Sequence, residues 1–329
     1  MRICIFGMGA IGGHYAAKLA HAGHEVSVVA RGANLAHVRE KPIVLRSGAQ
    51  RFEGRVKGAE DTRELGPQDL VISTLKANAL PALARSIESL LGSDTVVVFA
   101  QNGIPWWYDM GLPAALPEPP DLSPLDPGGA LRAAVPKTRI IGAVINSPNE
   151  VLEPGLVQHT NPARNALILG EVDDRQSDRL TAIRTLLEAA QIESPAVPEL
   201  RLELWTKLMM NMTGSMLALL SGHQVSVVRK EPGIGQLFLR LASEATAIAR
   251  AHGFDVSAGF NPEGYIPNAP DHTPSIRQDY DLGRPMELES MLLTPLRFGR
   301  AAGLETPCLD AIAALAVLMA KDKGLFQGS

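Results

Sequence analysis

Four polar residues recur at every fourth position of an otherwise apolar segment: Glu203, Lys207, Asn211 and Ser215 within ELRLELWTKLMMNMTGSMLALL, residues 199–220. If the segment is helical, that spacing places all four along one face. A lysine and an asparagine one turn apart suit the reduction of a ketone. Hydride addition leaves negative charge developing on oxygen, and an ammonium can both stabilise that charge and supply the proton. Lys207 is the candidate donor, and the amide of Asn211 could hold a substrate hydroxyl or carbonyl. The plainer alternative is a solvated stripe in which Glu203 and Lys207 form a helical ion pair worth about 0.3–0.5 kcal/mol.

A hydride needs a carrier, and the start of the chain supplies a place for one. Ile3 to Phe6 form a short apolar run of the kind a buried parallel strand shows. Gly7, Gly9 and Gly12 follow in G-x-G-x-x-G register, so that Gly7, Met8, Gly9, Ala10, Ile11 and Gly12 form the turn against which a pyrophosphate packs. A helix over His14 to Ala22 points its N-terminal amides at the phosphates, and Glu25 to Ala30 reads as the next strand. That strand ends in Arg31, where an NAD site usually carries an acid. A guanidinium there binds a 2′-phosphate through paired hydrogen bonds, which favours NADP(H); a solvated surface arginine is the alternative.

Composition narrows the function classes. The 329 residues suffice for two domains, and a net charge of −4 leaves no basic footprint for nucleic acid. Two cysteines support neither a disulfide framework nor a cysteine-rich zinc site and fit a reducing cytoplasm. The eight histidines show no metal-ligand spacing, so no metal is expected. The fold is expected to begin at Arg2, with no room for a signal peptide, and no apolar run approaches the length of a membrane span.

The elements that must position these residues divide the chain in two. Apolar runs at 70–74, 96–100 and 140–145 continue the sheet, with a helix-like stretch over 79–91 between two of them. Residues 105–136 are rich in proline and read as a surface excursion. Helical spacing then dominates over 200–220, 236–252, 287–299 and 308–321. The expected architecture is α/β: a Rossmann-type dinucleotide-binding domain over 1–197, followed by an all-α domain over 198–329 carrying substrate and catalytic groups. The apolar helices of the second half could support a homodimer.

With these residues in view, the chain resembles the ketopantoate reductase family, which reduces 2-dehydropantoate to pantoate with NADPH. The likeness rests on GMGAIG with Arg31, TLKA at 74–77, QNG at 101–103, ELWTKLMMN at 203–211 and SIRQDYDLGRPMELE at 275–289. It implies that Lys207 is the proton donor, that Asn211 orients substrate, that Ser275 bonds the substrate carboxylate and that Glu287 completes the catalytic site. It also implies that Lys76 and Asn102 approach the cofactor's ribose and nicotinamide. Read alone, Lys76 could be a surface charge, Asn102-Gly103 a simple turn and Glu287 an ordinary first-turn helix carboxylate.

Three departures bear on the substrate. Ser215 stands where the family has a second substrate asparagine, and a further asparagine has no match near Gln224. Glu289 and Leu292-Leu293 replace an aspartate and an Asn-Gly pair after Glu287. Trp106, Trp107 and Tyr108 fall near the cofactor end, where they could line the pocket or seal a surface loop. The resemblance implies NADPH-dependent reduction of 2-dehydropantoate to (R)-pantoate. The alternatives are a paralogue acting on another 2-oxo acid and a non-catalytic NADP(H) sensor, against which Lys207 and Glu287 together argue.

Overall fold

The computed structural model describes residues 1–268 and 271–328. The chain divides into two compact units, one formed by residues 1–101 with 128–200 and the other by 102–127 with Arg201 onward. Where the expectation gave all of 1–197 to one domain, residues 102–127 pack in the second unit. The cause is a buried anchor: the Arg201 guanidinium donates to the carbonyl oxygens of Tyr108 (2.8 and 3.0 Å) and Met110 (2.9 Å).

The first unit is built on strands β1 (Arg2–Phe6), β2 (Glu25–Val29), β3 (Ile43–Ser47), β4 (Gln50–Gly54), β5 (Lys57–Ala59) and β6 (Gln68–Ser73). It continues with β7 (Leu91–Ala100), β8 (Ile140–Asn146), β9 (Asn149–Glu153), β10 (Leu156–His159) and β11 (Ala166–Glu171). Seven of these form one sheet in the order β11-β8-β7-β6-β1-β2-β5. All neighbours in it run parallel except β11, which is antiparallel to β8. Strand β1 lies between β2 and β6, so the winding reverses there, and the carboxyl ends of β1 and β6 open the crevice in which such sheets bind ligands. Ile3, Ile5, Val28, Ile72, Val98 and Leu167 are fully buried, as the near-continuous apolar strands require.

Two sequence expectations change here. The helix-like stretch over 79–91 is broken into a 3₁₀ turn (Ala77–Ala79), one short helix (Leu80–Ala84) and a second 3₁₀ turn (Ile87–Leu90). Side chains compete with the helical ladder there: Ser86 Oγ donates to Ala82 O (2.9 Å) and Thr62 Oγ1 to Ser86 O (2.6 Å). A second sheet, β4-β3-β10-β9, was not foreseen. It packs on helix α1 (Ala10–His21), so that α1 is covered on the side away from the large sheet.

Polar groups are trapped under that small sheet. His14 Nδ1 donates to Asn149 Oδ1 (2.7 Å), and the Asn149 amide is fixed in turn by donating to Ser147. The His14 and His159 rings meet edge to face at 4.8 Å, and Lys18 Nζ donates to Gln191 O (2.7 Å) and Asn165 Oδ1 (3.0 Å). Burial, reinforced by the Lys18 charge, lowers the His14 pKa to about 3, and burial lowers that of Lys18 to about 8.

Helices make up the regular structure of the second unit from Arg201 onward. The expected helix over 200–220 is interrupted: α-helix over Leu200–Met210, a π-turn over Asn211–Ser215, then α-helix over Met216–Ser221. Gly222 closes it with φ +76°, the left-handed conformation that favours glycine. The helix Pro232–Ala251 begins at Glu231, whose carboxylate accepts from the Ile234 amide (2.9 Å). Trp106, Trp107 and Tyr108 do not lie in an exposed surface loop; all three are fully buried in this unit. Tyr108 accepts a hydrogen bond from Trp205 Nε1 (2.9 Å) and packs edge-on against Phe298 at 5.1 Å. No described helix is long and apolar enough to cross a membrane.

Candidate active site

The glycine loop of the first unit joins the end of β1 to α1, and its glycines are required for different reasons. A β-carbon on Gly12 would lie 1.9 Å from Gly7 O and 2.6 Å from Thr74 Oγ1, so helix and loop can close only on glycine. Thr74 Oγ1 donates to Gly7 O (2.8 Å), and Asn34 Nδ2 to Met8 O (2.9 Å), so the loop is held from both sides. Gly9 differs: its φ is −84° and, its chain neighbours aside, no described residue stands within 4 Å of a β-carbon placed there. The fold itself does not require glycine at this exposed position. A ligand approaching the backbone does, and this fits the residues to a dinucleotide pyrophosphate. No acid occupies the first turn of α1, leaving the positive end of the helix, with Ala10 and Ile11, available to an anion.

Arg31 lies beyond the end of β2 and precedes the helix Gly32–Glu40. Its guanidinium is 3.5 Å from the carboxylate of Glu60, with side chains 73% and 60% exposed, so both are open to a ligand. Glu60 follows β5, which pairs in parallel with β2 through Val29 and Ala59. Glu60 comes beside Arg31 only through the pairing of β5 with β2, a placement that no local sequence signal carries. Lys76 follows β6, half-buried at the head of the 3₁₀ turn, on the crevice side of the sheet.

The second unit gathers most of the remaining residues. Lys207, half-buried on Leu200–Met210, donates from Nζ to Asn102 Oδ1 (2.6 Å), so the polar line is not a solvated stripe. Burial also pushes the Glu203 carboxyl above its usual pKa. Asn211 opens the π-turn, and its buried Nδ2 finds no hydrogen-bond acceptor among the described residues. Ser215 closes the same turn and is buried.

Asn102 is fixed by the residues that follow it. Gly103 has φ +80°, and a β-carbon on it would come within 2.4 Å of the carbonyl carbon and oxygen of Ser290. Ile104 N donates to Ser290 O (2.8 Å). Ser290 Oγ in turn reaches Glu287 O (3.4 Å), so the QNG turn is tied to the segment bearing the buried Glu287. Gly103 and Ser290 were not among the expected functional residues, although the QNG motif contained the signal for the first. Ser275 stands apart, exposed at the start of the helix Ser275–Asp281. That helix is held to the end of the polar helix by Arg277 Nη1, which donates to Ala218 O (3.3 Å). Leu292 is fully buried and turned away from solvent.

Comparison with known proteins finds similarity along most of the chain. The family model "Ketopantoate reductase PanE/ApbA" matches residues 3–119, and that of its C-terminal region matches residues 199–320. A 2-dehydropantoate 2-reductase from Mesorhizobium japonicum is 36% identical over 330 residues, covering 99% of this chain and 100% of its own length. A solved structure from Ralstonia solanacearum MolK2 superposes with a TM-score of 0.88 at 31% identity, covering 99% of each chain. The 2-dehydropantoate 2-reductase of Geobacter metallireducens gives a TM-score of 0.81 at 27% identity, covering 97% of this chain and 99% of its own.

Proposed function

Because this chain belongs to the ketopantoate reductase family, we propose that it reduces 2-dehydropantoate to (R)-pantoate, with NADPH as the hydride source. The family consists of oxidoreductases that use a nicotinamide dinucleotide, and the glycine loop with its open Gly9 suits that cofactor. When bound, the nicotinamide supplies the hydride that adds to the C2 carbonyl carbon. Lys207 then delivers a proton to the carbonyl oxygen, so that hydride and proton together make the hydroxyl.

The observation that carries this reading is the 2.6 Å bond from Lys207 to Asn102, which holds a half-buried ammonium in one place on a rigid helix. Such an ammonium stabilises developing oxyanion charge with little reorganisation. Asn211, whose Nδ2 meets no acceptor among the described residues, orients the substrate oxygens, and Ser215 and Ser275 add hydroxyls for the carboxylate side. Glu287 supplies a carboxylate near the reacting groups. Gly7, Met8, Gly9, Ala10, Ile11 and Gly12 hold the pyrophosphate, Arg31 the 2′-phosphate, and Lys76 and Asn102 the ribose and nicotinamide. Leu315 and Leu318, exposed on the helix Pro307–Asp322, support pairing with a second copy.

A second reading, a paralogue acting on another 2-oxo acid, is favoured by Ser215, a small buried hydroxyl at a family asparagine position. One experiment addresses both. NADPH absorbance is followed with ketopantoate and a panel of 2-oxo acids, for wild type and Lys207→Ala. The expected result is turnover of ketopantoate that falls by about 10²-fold or more in the variant while NADPH binding persists. Turnover of a different acid only would move the assignment to the paralogue. NADPH binding without any turnover would leave a sensor.

A further inference from the structure

Arg31 does not meet a 2′-phosphate alone. The guanidinium that would grip it already has the Glu60 carboxylate 3.5 Å away, and the two sit side by side beyond adjacent parallel strands. The Ala30 amide donates to Ala59 O (3.0 Å), which fixes the backbone of one residue's neighbour to that of the other. The pairing therefore follows from strand register as well as from two long side chains.

We infer that Glu60 is a cofactor-specificity residue that opposes Arg31, so that this chain discriminates only modestly between NADPH and NADH. The inference rests on the reading of Arg31 as the 2′-phosphate ligand. A phosphomonoester carries close to two negative charges at neutral pH. To bind beside Arg31 it must displace Glu60 from the guanidinium and then lie next to a carboxylate, and both effects weaken the NADPH complex. NADH suffers neither. Its free 2′-hydroxyl can donate to the Glu60 carboxylate, the contact that an acid makes in NAD-binding sheets. In those sheets the acid normally ends the second strand; here it comes from the end of the strand beside it. The same carboxylate thus penalises one cofactor and favours the other, and Arg31 does the reverse.

The test is isothermal titration of the full-length protein with NADPH and with NADH, for wild type, Glu60→Gln and Arg31→Ala. Both side chains are more than half exposed, so the variants should retain the wild-type thermal midpoint. The expected result for Glu60→Gln is a Kd for NADPH about 5- to 10-fold lower and a Kd for NADH unchanged or about twofold higher. Arg31→Ala is expected to weaken NADPH about tenfold or more, with little change for NADH. If Arg31→Ala behaves so and Glu60→Gln leaves the NADPH/NADH ratio at its wild-type value, the inference about Glu60 is overturned and the NADP(H) reading stands. If wild type binds NADH more tightly than NADPH and Arg31→Ala changes neither, both fail together.

Discussion

Lys207 Nζ and Asn102 Oδ1 stand 2.6 Å apart although 105 residues separate them in sequence. Neither group has much freedom: Lys207 projects from a buried helix, and Asn102 is followed by Gly103, whose backbone lies against Ser290. Asn102→Leu keeps the approximate volume and removes the acceptor. We expect kcat to fall about 10- to 100-fold, because a misplaced proton donor forfeits part of the orientation advantage. Steady-state kinetics with ketopantoate check this, and an unchanged kcat would detach Asn102 from the chemistry.

The two later glycines of the loop should separate stability from binding. Gly12→Ala forces a β-carbon onto Gly7 O and should destabilise the protein by at least about 2 kcal/mol in urea unfolding. Gly9→Ala meets only open space at an ordinary φ. Its unfolding curve should overlay that of wild type, while its Kd for NADPH rises about tenfold or more. A loss of stability in Gly9→Ala would refute the account of a glycine kept for the ligand.

Asn211→Ala removes a buried donor that meets no acceptor among the described residues. The variant should therefore unfold within about 1 kcal/mol of wild type, where loss of a made hydrogen bond would cost more. Its KM for the 2-oxo acid should rise about tenfold, since the amide is the group that waits for substrate oxygen. Equal KM values would assign the Asn211 amide to some other partner.

Acid should weaken the first unit through His14. Burial, and secondarily the Lys18 charge, lowers its pKa from 6.5 to about 3. Its contribution to stability is present above pH 6.5, where neither state is protonated. As pH falls below 6.5 the unfolded chain gains a proton that the folded chain refuses, costing about 1.4 kcal/mol per pH unit down towards pH 3. Burial also lowers the His159 pKa, which adds in the same direction. Urea unfolding between pH 7.5 and 5 should show a flatter profile for His14→Gln than for wild type; parallel profiles would place the proton elsewhere.

Much of this was legible in the sequence, and what was not has a physical reason. The glycine loop, Arg31 and the four-residue polar spacing are local signals, readable in a window of a few turns. The small sheet is not local: β10 pairs with β3 across Leu156 and Val44, and β9 and β4 are largely exposed, with polar sequences. The π-turn at Asn211–Ser215 leaves no mark in an apolar pattern that fits a plain helix equally well. Trp107 and Tyr108 stand beside a proline-rich run, and only their partners Arg201 and Trp205 reveal them as core. Glu60 was hidden for the same reason, since a strand partner decides where it lands.

The chain leaves the second unit at residue 127 and returns to it at Arg201. On the ribosome, the first unit has all its strands once residue 200 has emerged, and it can fold as a domain while synthesis continues. Through that interval Trp107 and Tyr108 have been made but Arg201 and Trp205, which they meet in the fold, have not, so these aromatics stay uncovered. Nascent chains stalled between residues 128 and 200 should accordingly be those most dependent on a chaperone.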